Sequence, residues 1–107
     1  MQRGEVYWVD FELARGGEIR KRRPAVIVSN NAATRTQNRV QVVPLTSNVS
    51  RIHSWEALVR VNGVPHKALP DQIRTAAKER LSGRIGELKA ADLRAVERGI
   101  RVQLGLR

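Results

Sequence analysis

Arg20-Lys21-Arg22-Arg23-Pro24-Ala25-Val26-Ile27-Val28-Ser29 runs four consecutive cations into a proline and then into a short apolar stretch rich in β-branched residues. The apolar stretch reads as a buried strand. Pro24 sets its own φ and biases Arg23 towards an extended backbone, so the Arg23 guanidinium leaves the core in a fixed direction. A fixed cation at a strand entrance suits a phosphate. Lys21 and Arg22 read as solvated loop charges, whereas the strand that follows leaves Arg23 little freedom.

Upstream, Gly4 to Phe11 is strand-like, with Val6 and Trp8 on one face and Tyr7, Val9 and Phe11 on the other. Both faces carry core-type residues, as in a small barrel. The polar connection Glu12 to Arg23 contains Gly16-Gly17, is too long for a tight hairpin, and is a candidate lid over a ligand. Arg15-Gly16-Gly17 within it is a single RGG, equally explained by turn geometry.

Downstream, Asn30 and Asn31 carry side chains suited to capping a short helical turn. Arg39 to Pro44 is the next strand and delivers Leu45-Thr46-Ser47-Asn48 to its far end. A second loop runs from Asn48 to Trp55, and Glu56 to Val61 alternates as a strand before the hairpin signal Asn62-Gly63. Pro70 argues for an edge or bulge, with Asp71 to Ala77 read as strand. Ser82 to Gly86 reads as a turn with a short strand. Ala90 to Leu104 is a helix that closes the barrel, striped by Leu93, Val96, Ile100 and Leu104. Val102 and Leu106 lie off that stripe and point to a second apolar face against a partner subunit.

The chain has 107 residues, which sets the expectation of one domain spanning residues 1–107. Lys+Arg 20 against Asp+Glu 10 gives a net charge of +10, and the cations are mostly arginine. Arginine makes bidentate contacts to phosphate and stacks on bases, so a polyanion is the expected partner. The sequence has no cysteine, which excludes disulfides, thiolate metal sites and a cysteine nucleophile. His53 and His66 are the only histidines, fall in loops, and lack the carboxylate spacing of a metal site. No metal or cofactor is expected. No signal core or span of transmembrane length occurs, so no membrane association and a cytoplasmic location are expected.

Arg23 heads one strand and Thr46 leaves another. If those strands pair antiparallel, guanidinium and hydroxyl converge. Two donors on one phosphate suit metal-free phosphodiester cleavage, in which negative charge builds on the nonbridging oxygens and the neighbouring 2′-hydroxyl of RNA is the nucleophile. Taken alone, the pair fits phosphate binding without cleavage at least as well.

The residues resemble the MazF/PemK family of toxin ribonucleases along the whole chain and in order. The match comprises Gly4-Glu5-Val6-Tyr7-Trp8-Val9-Asp10-Phe11, Gly17-Glu18, Arg22 to Ser29, Val43-Pro44-Leu45-Thr46-Ser47, Asp71-Gln72-Ile73-Arg74 and the closing helix. The resemblance implies a mainly β fold with short helices, an SH3-like β-barrel with a C-terminal helix. It also implies a homodimer that cuts single-stranded RNA at short motifs without metal, leaving a cyclic phosphate or 3′-phosphate and a 5′-hydroxyl. It assigns Arg23 and Thr46 as catalytic. RNA binding would fall to Glu18, Arg20, Lys21, Arg22, Ser47, Trp55, Asp71 and Gln72, with the loops reading sequence. In the Kid-like branch a further arginine and histidine act, and those positions here are Leu69 and Gly17. Asp71 therefore inherits no acid role; it shapes the groove, supports Arg23 or is structural. A cognate antitoxin with an acidic, partly disordered tail is implied as partner, matched by the positive charge. Two other readings share the barrel: a CcdB-like topoisomerase poison and a noncatalytic RNA-binding barrel.

Overall fold

A computed structural model describes residues 1–11 and 22–107. The expected lid, the Arg15-Gly16-Gly17 segment, and the site candidates Glu18, Arg20 and Lys21 lie outside the described residues.

The chain forms β1 (Glu5–Asp10), β2 (Arg22–Ile27), α1 (Asn31–Thr36), β3 (Arg39–Thr46), β4 (Ala57–Val61), β5 (Val64–Ala68), β6 (Arg74–Ala77), β7 (Leu81–Glu87) and α2 (Ala90–Leu104). All strand pairs are antiparallel, in the order β4-β5-β3-β2-β1-β7 with β6 beside β3. The sheet curls into the expected SH3-like half-barrel. Its two ends meet where the Asn62 side-chain amide donates to the Ile85 carbonyl at 2.9 Å. Asn62 and Gly63 take φ of +51° and +82°, the left-handed pair that a two-residue hairpin turn needs.

Period-two alternation explains why one sheet carries two cores. Val6, Val26, Val43, Leu45 and Val59 face α2 and pack on its Val96. Val9, Ala25, Ile27, Val40 and Val42 face the other way and gather Phe11, Ala76 and Leu81. The faces read from β1 are thus the faces found.

β3 is the central strand, and it forks. On one edge it pairs with β2; on the other it pairs with β6 through Arg39 to Val42 and with β5 through Leu45 and Thr46. Pro44 sits at the fork. Its carbonyl accepts from the Leu69 N–H at 3.0 Å, on the edge where β5 gives way to β6. A residue's N–H and C=O point to the same neighbour in an antiparallel ladder, so the donor that proline lacks falls where no ladder partner is required.

Four expectations are corrected. β3 runs on through Thr46 instead of stopping at Pro44, because β5 pairs with its last two residues. Asp71 to Ala77 is strand only from Arg74; buried Pro70 instead opens a 3₁₀ turn, Pro70–Gln72, against α2 and β3. Ser82 to Gly86 lies within the seven-residue strand β7, whose Gly83, at φ +59°, absorbs an irregularity in the β1 pairing without ending the strand. Leu104 does not join the buried stripe of α2: Val96 is buried, Leu93 and Ile100 are half-buried, and Leu104 is exposed alongside Val102 and Leu106. α1 begins as expected, with the Asn30 Oδ1 accepting from the Ala33 N–H at 2.7 Å.

Candidate nucleic-acid site

The β2–β3 ladder pairs Ile27 with Val42, Val26 with Val43 and Ala25 with Pro44. The ladder ends there; continued by two residues, its register would bring Arg23 level with Thr46, and alternation assigns both to the face of Ala25 and Pro44. Arg23 is held on its other side opposite Val9 of β1, and Thr46 opposite Lys67 of β5. Arg23 is exposed and Thr46 half-buried, so a cation and a hydroxyl stand at one end of the sheet, accessible to solvent.

The hydroxyl of Thr46 is oriented by its own loop. Its Oγ1 accepts the Asn48 N–H at 3.2 Å, which occupies a lone pair and leaves the hydroxyl proton to point elsewhere. Asn48 in turn accepts from Ser50 through both its backbone N–H and its hydroxyl. Ser47, immediately after Thr46, is exposed.

Arg74 joins this face, and sequence reading had not singled it out as a site residue. It pairs with Val42, and its guanidinium lies 5.3 Å from the centre of the Phe11 ring, a cation–π contact that fixes the charge above the second core. The signal available in the sequence was Arg74 beside the Asp71-Gln72 pair. Its relation to Arg23 and Thr46 depends on the fork in β3.

Arg22 points to the opposite face. Its guanidinium stacks 4.8 Å over Trp8 and donates to the Ser82 Oγ at 3.3 Å, so it is a placed cation rather than a free loop charge. Trp8, read from the sequence as a core-type residue, is half-buried under it. On the same three strands Arg84 donates to Glu5 Oε2 at 2.8 Å. Burial pushes the Glu5 carboxyl up, but the Arg84 hydrogen bond, the Gln2 N–H and the nearby positive charges outweigh it and hold the pKa below the usual range. Burial first, and the Glu5 charge second, push the Tyr7 phenol up.

Asp71 is exposed and Gln72 half-buried on the 3₁₀ turn, and neither belongs to a strand. Trp55 does not present a bare ring: His53 lies parallel to it at 4.5 Å, with 2° between the planes. His53, expected in a loop, is half-buried in this stack. Among the described residues no group of three or more His, Cys, Asp or Glu is arranged to hold a metal ion.

The sequence matches the family described as PemK-like, MazF-like toxin of type II toxin-antitoxin system over residues 2–104. Endoribonuclease MazF9 of Mycobacterium tuberculosis is 38% identical over 115 aligned residues, covering 99% of this chain and 98% of the relative. Endoribonuclease MazF of Staphylococcus saprophyticus is 29% identical, covering 99% and 92%. A solved mycobacterial endoribonuclease in complex with its cognate antitoxin superposes with a TM-score of 0.83 at 28% identity, covering 100% of this chain and 97% of that one. MazF from Deinococcus radiodurans gives 0.84 at 26% identity, covering 99% and 97%.

Proposed function

The chain belongs to the PemK-like, MazF-like toxin family of type II toxin-antitoxin systems and is an endoribonuclease, and on that premise we propose that it cuts single-stranded RNA without a metal ion, through the 2′-hydroxyl. The observation that supports the reading is the β2–β3 register, which pairs Ala25 with Pro44 and, continued by two residues, would bring Arg23 level with Thr46. In the reaction the 2′-oxygen forms a bond to the adjacent phosphorus and loses its proton to solvent. The bond from phosphorus to the 5′-oxygen breaks, and that oxygen takes up a proton. A 2′,3′-cyclic phosphate and a 5′-hydroxyl result.

Negative charge grows on the nonbridging oxygens as phosphorus becomes five-coordinate. Arg23 meets that charge with a guanidinium fork and Thr46 with a hydroxyl proton already directed by Asn48. Arg74, held on Phe11, adds a second positive charge on the same face. Arg23 acts through charge and hydrogen bonding; a guanidinium is too weak an acid to donate its proton in an ordinary site. Arg22 binds a flanking phosphate, and the loop after Thr46 reads the bases.

A cognate antitoxin with an acidic segment is the proposed inhibitor. The +10 charge attracts it, and its carboxylates would take the places of RNA phosphates. The exposed apolar residues Val102, Leu104 and Leu106 support a homodimer, which sedimentation equilibrium would measure. No helix among the described residues is long and apolar enough to cross a membrane, and the cytoplasm, where RNA substrate resides, is the proposed location.

The test is incubation of the purified protein with long mixed-sequence RNA in EDTA, alongside Arg23→Ala and Thr46→Ala, with the new ends mapped. Discrete cuts with 5′-hydroxyl ends, lost in both variants, are expected. Cleavage that needs an added divalent ion, or RNA left intact while cells still stop growing, would overturn the proposal.

A further inference from the structure

The loop that follows Thr46 carries an aromatic pair whose role the phosphate chemistry does not explain. His53 and Trp55 are stacked face to face at 4.5 Å with 2° between their planes, and neither belongs to the two apolar cores. The Trp55 backbone is wedged against α2 where Gly99 has no side chain: a Cβ on Gly99 would lie 2.6 Å from the Trp55 carbonyl oxygen. The Trp55 backbone is therefore held against α2, and the His53 imidazole lies parallel to its indole.

The position of the pair is set from two sides. Glu56 Oε1 accepts the His53 backbone N–H at 2.8 Å and faces the Lys67 ammonium at 3.6 Å. Lys67 donates to the Arg51 carbonyl at 3.0 Å. The side chains of Lys67 and Glu56 are only 14% and 8% exposed, so this clamp is largely shielded from water and little weakened by salt. Lys67 is also the cross-strand partner of Thr46. One β5 residue thus ties the loop bearing the stack to the strand bearing the hydroxyl that meets the scissile phosphate.

We propose that His53, backed by Trp55, is a nucleobase-stacking subsite, taking the unpaired base of a nucleotide beside the scissile phosphate. A parallel pair of rings on a loop extends to a third ring by the same contact, and stacking of this kind requires a base free of a duplex. The indole face towards His53 is already covered, so the base meets the imidazole and not Trp55. Trp8, the other tryptophan, is capped by Arg22 and offers no equivalent platform. Holding the stack in place before RNA arrives reduces the ordering cost of binding.

This inference rests on the endoribonuclease reading, and its test separates the two. Cut sites are first mapped on wild type. A short RNA spanning one site, with a 2′-deoxynucleotide at the scissile position so that it binds without being cut, is then titrated by fluorescence anisotropy. Its binding to wild type, His53→Ala and His53→Phe is compared, with thermal unfolding confirming that each variant is folded. His53→Ala is expected to weaken binding by about 5- to 150-fold, which corresponds to roughly 1 to 3 kcal/mol, and His53→Phe to restore most of it. Removing the base at one position flanking the cut should weaken wild type to the same degree and His53→Ala no further. Unchanged binding by His53→Ala in an enzyme that cuts RNA, or equal sensitivity of that variant to base removal at every position, would overturn the subsite alone. A wild type that neither binds nor cuts RNA would overturn the endoribonuclease reading together with it.

Discussion

Replacing Gly99 with alanine sets two effects of opposite sign against each other. In a helix interior, alanine is favoured over glycine by about 1 kcal/mol, so propensity alone forecasts stabilisation. The added Cβ, however, would lie 2.6 Å from the Trp55 carbonyl oxygen and 2.8 Å from the Pro70 Cγ. A main-chain carbonyl and a proline ring are both stiff, and neither can swing aside as a long side chain would. Overpacking of this kind costs about 1 to 3 kcal/mol, and two rigid contacts below van der Waals distance place Gly99→Ala at the upper end. The net expectation is a loss of about 2 kcal/mol, which lowers Tm by roughly 8 to 16 °C in a domain of this size. Thermal unfolding of both proteins at one concentration reads it, since association would otherwise shift Tm. The substitution also pushes Trp55 away from α2, so RNA affinity should fall at temperatures where the variant is still folded. A Tm equal to or above wild type would refute the close approach of α2 to the Trp55 loop, and with it the anchoring of the aromatic pair.

Three other perturbations test the rest of the site. Thr46→Ala should lower kcat by about 10² to 10³, the usual effect of removing one donor to a developing oxyanion, and an unchanged kcat in single-turnover cleavage would remove Thr46 from the chemistry. Arg22→Ala should reduce the slope of log Kd against log salt by about 0.7 for a single-stranded RNA, as expected for one lost phosphate contact; an identical slope would leave Arg22 as a brace on Trp8 only. Glu5, with its pKa held below the usual range, contributes stability that is fully present above the ordinary carboxylate pKa and is lost as pH falls through the lowered folded value. Urea unfolding from neutral pH into acid should therefore show a steeper loss for wild type than for Glu5→Gln, and parallel curves would contradict the assignment.

Local residue chemistry made several parts of this protein legible in its sequence. Pro24 and the β-branched run after it gave β2 and the direction of Arg23; Asn30 marked the start of α1; Asn62-Gly63 required left-handed backbone at two successive positions; and the spacing of Leu93, Val96 and Ile100 delimited α2. Each of these preferences is encoded within a few neighbouring residues, through φ limits, side-chain caps or periodicity. The pairing of the strands bearing Arg23 and Thr46 was inferable because only one short helix separates them.

Tertiary structure alone decided what lies across the fork of β3. Lys67 opposite Thr46, Arg74 over Phe11, and Trp55 against Gly99 each join segments far apart in sequence, through a register that no local propensity sets. The continuation of β7 past Gly83 depends likewise on pairing with β1, and the exposure of Leu104 on where α2 runs beyond the sheet. The sequence thus specified the proposed site residues and the strands that carry them, while packing between distant strands and α2 determined which of those residues share a face.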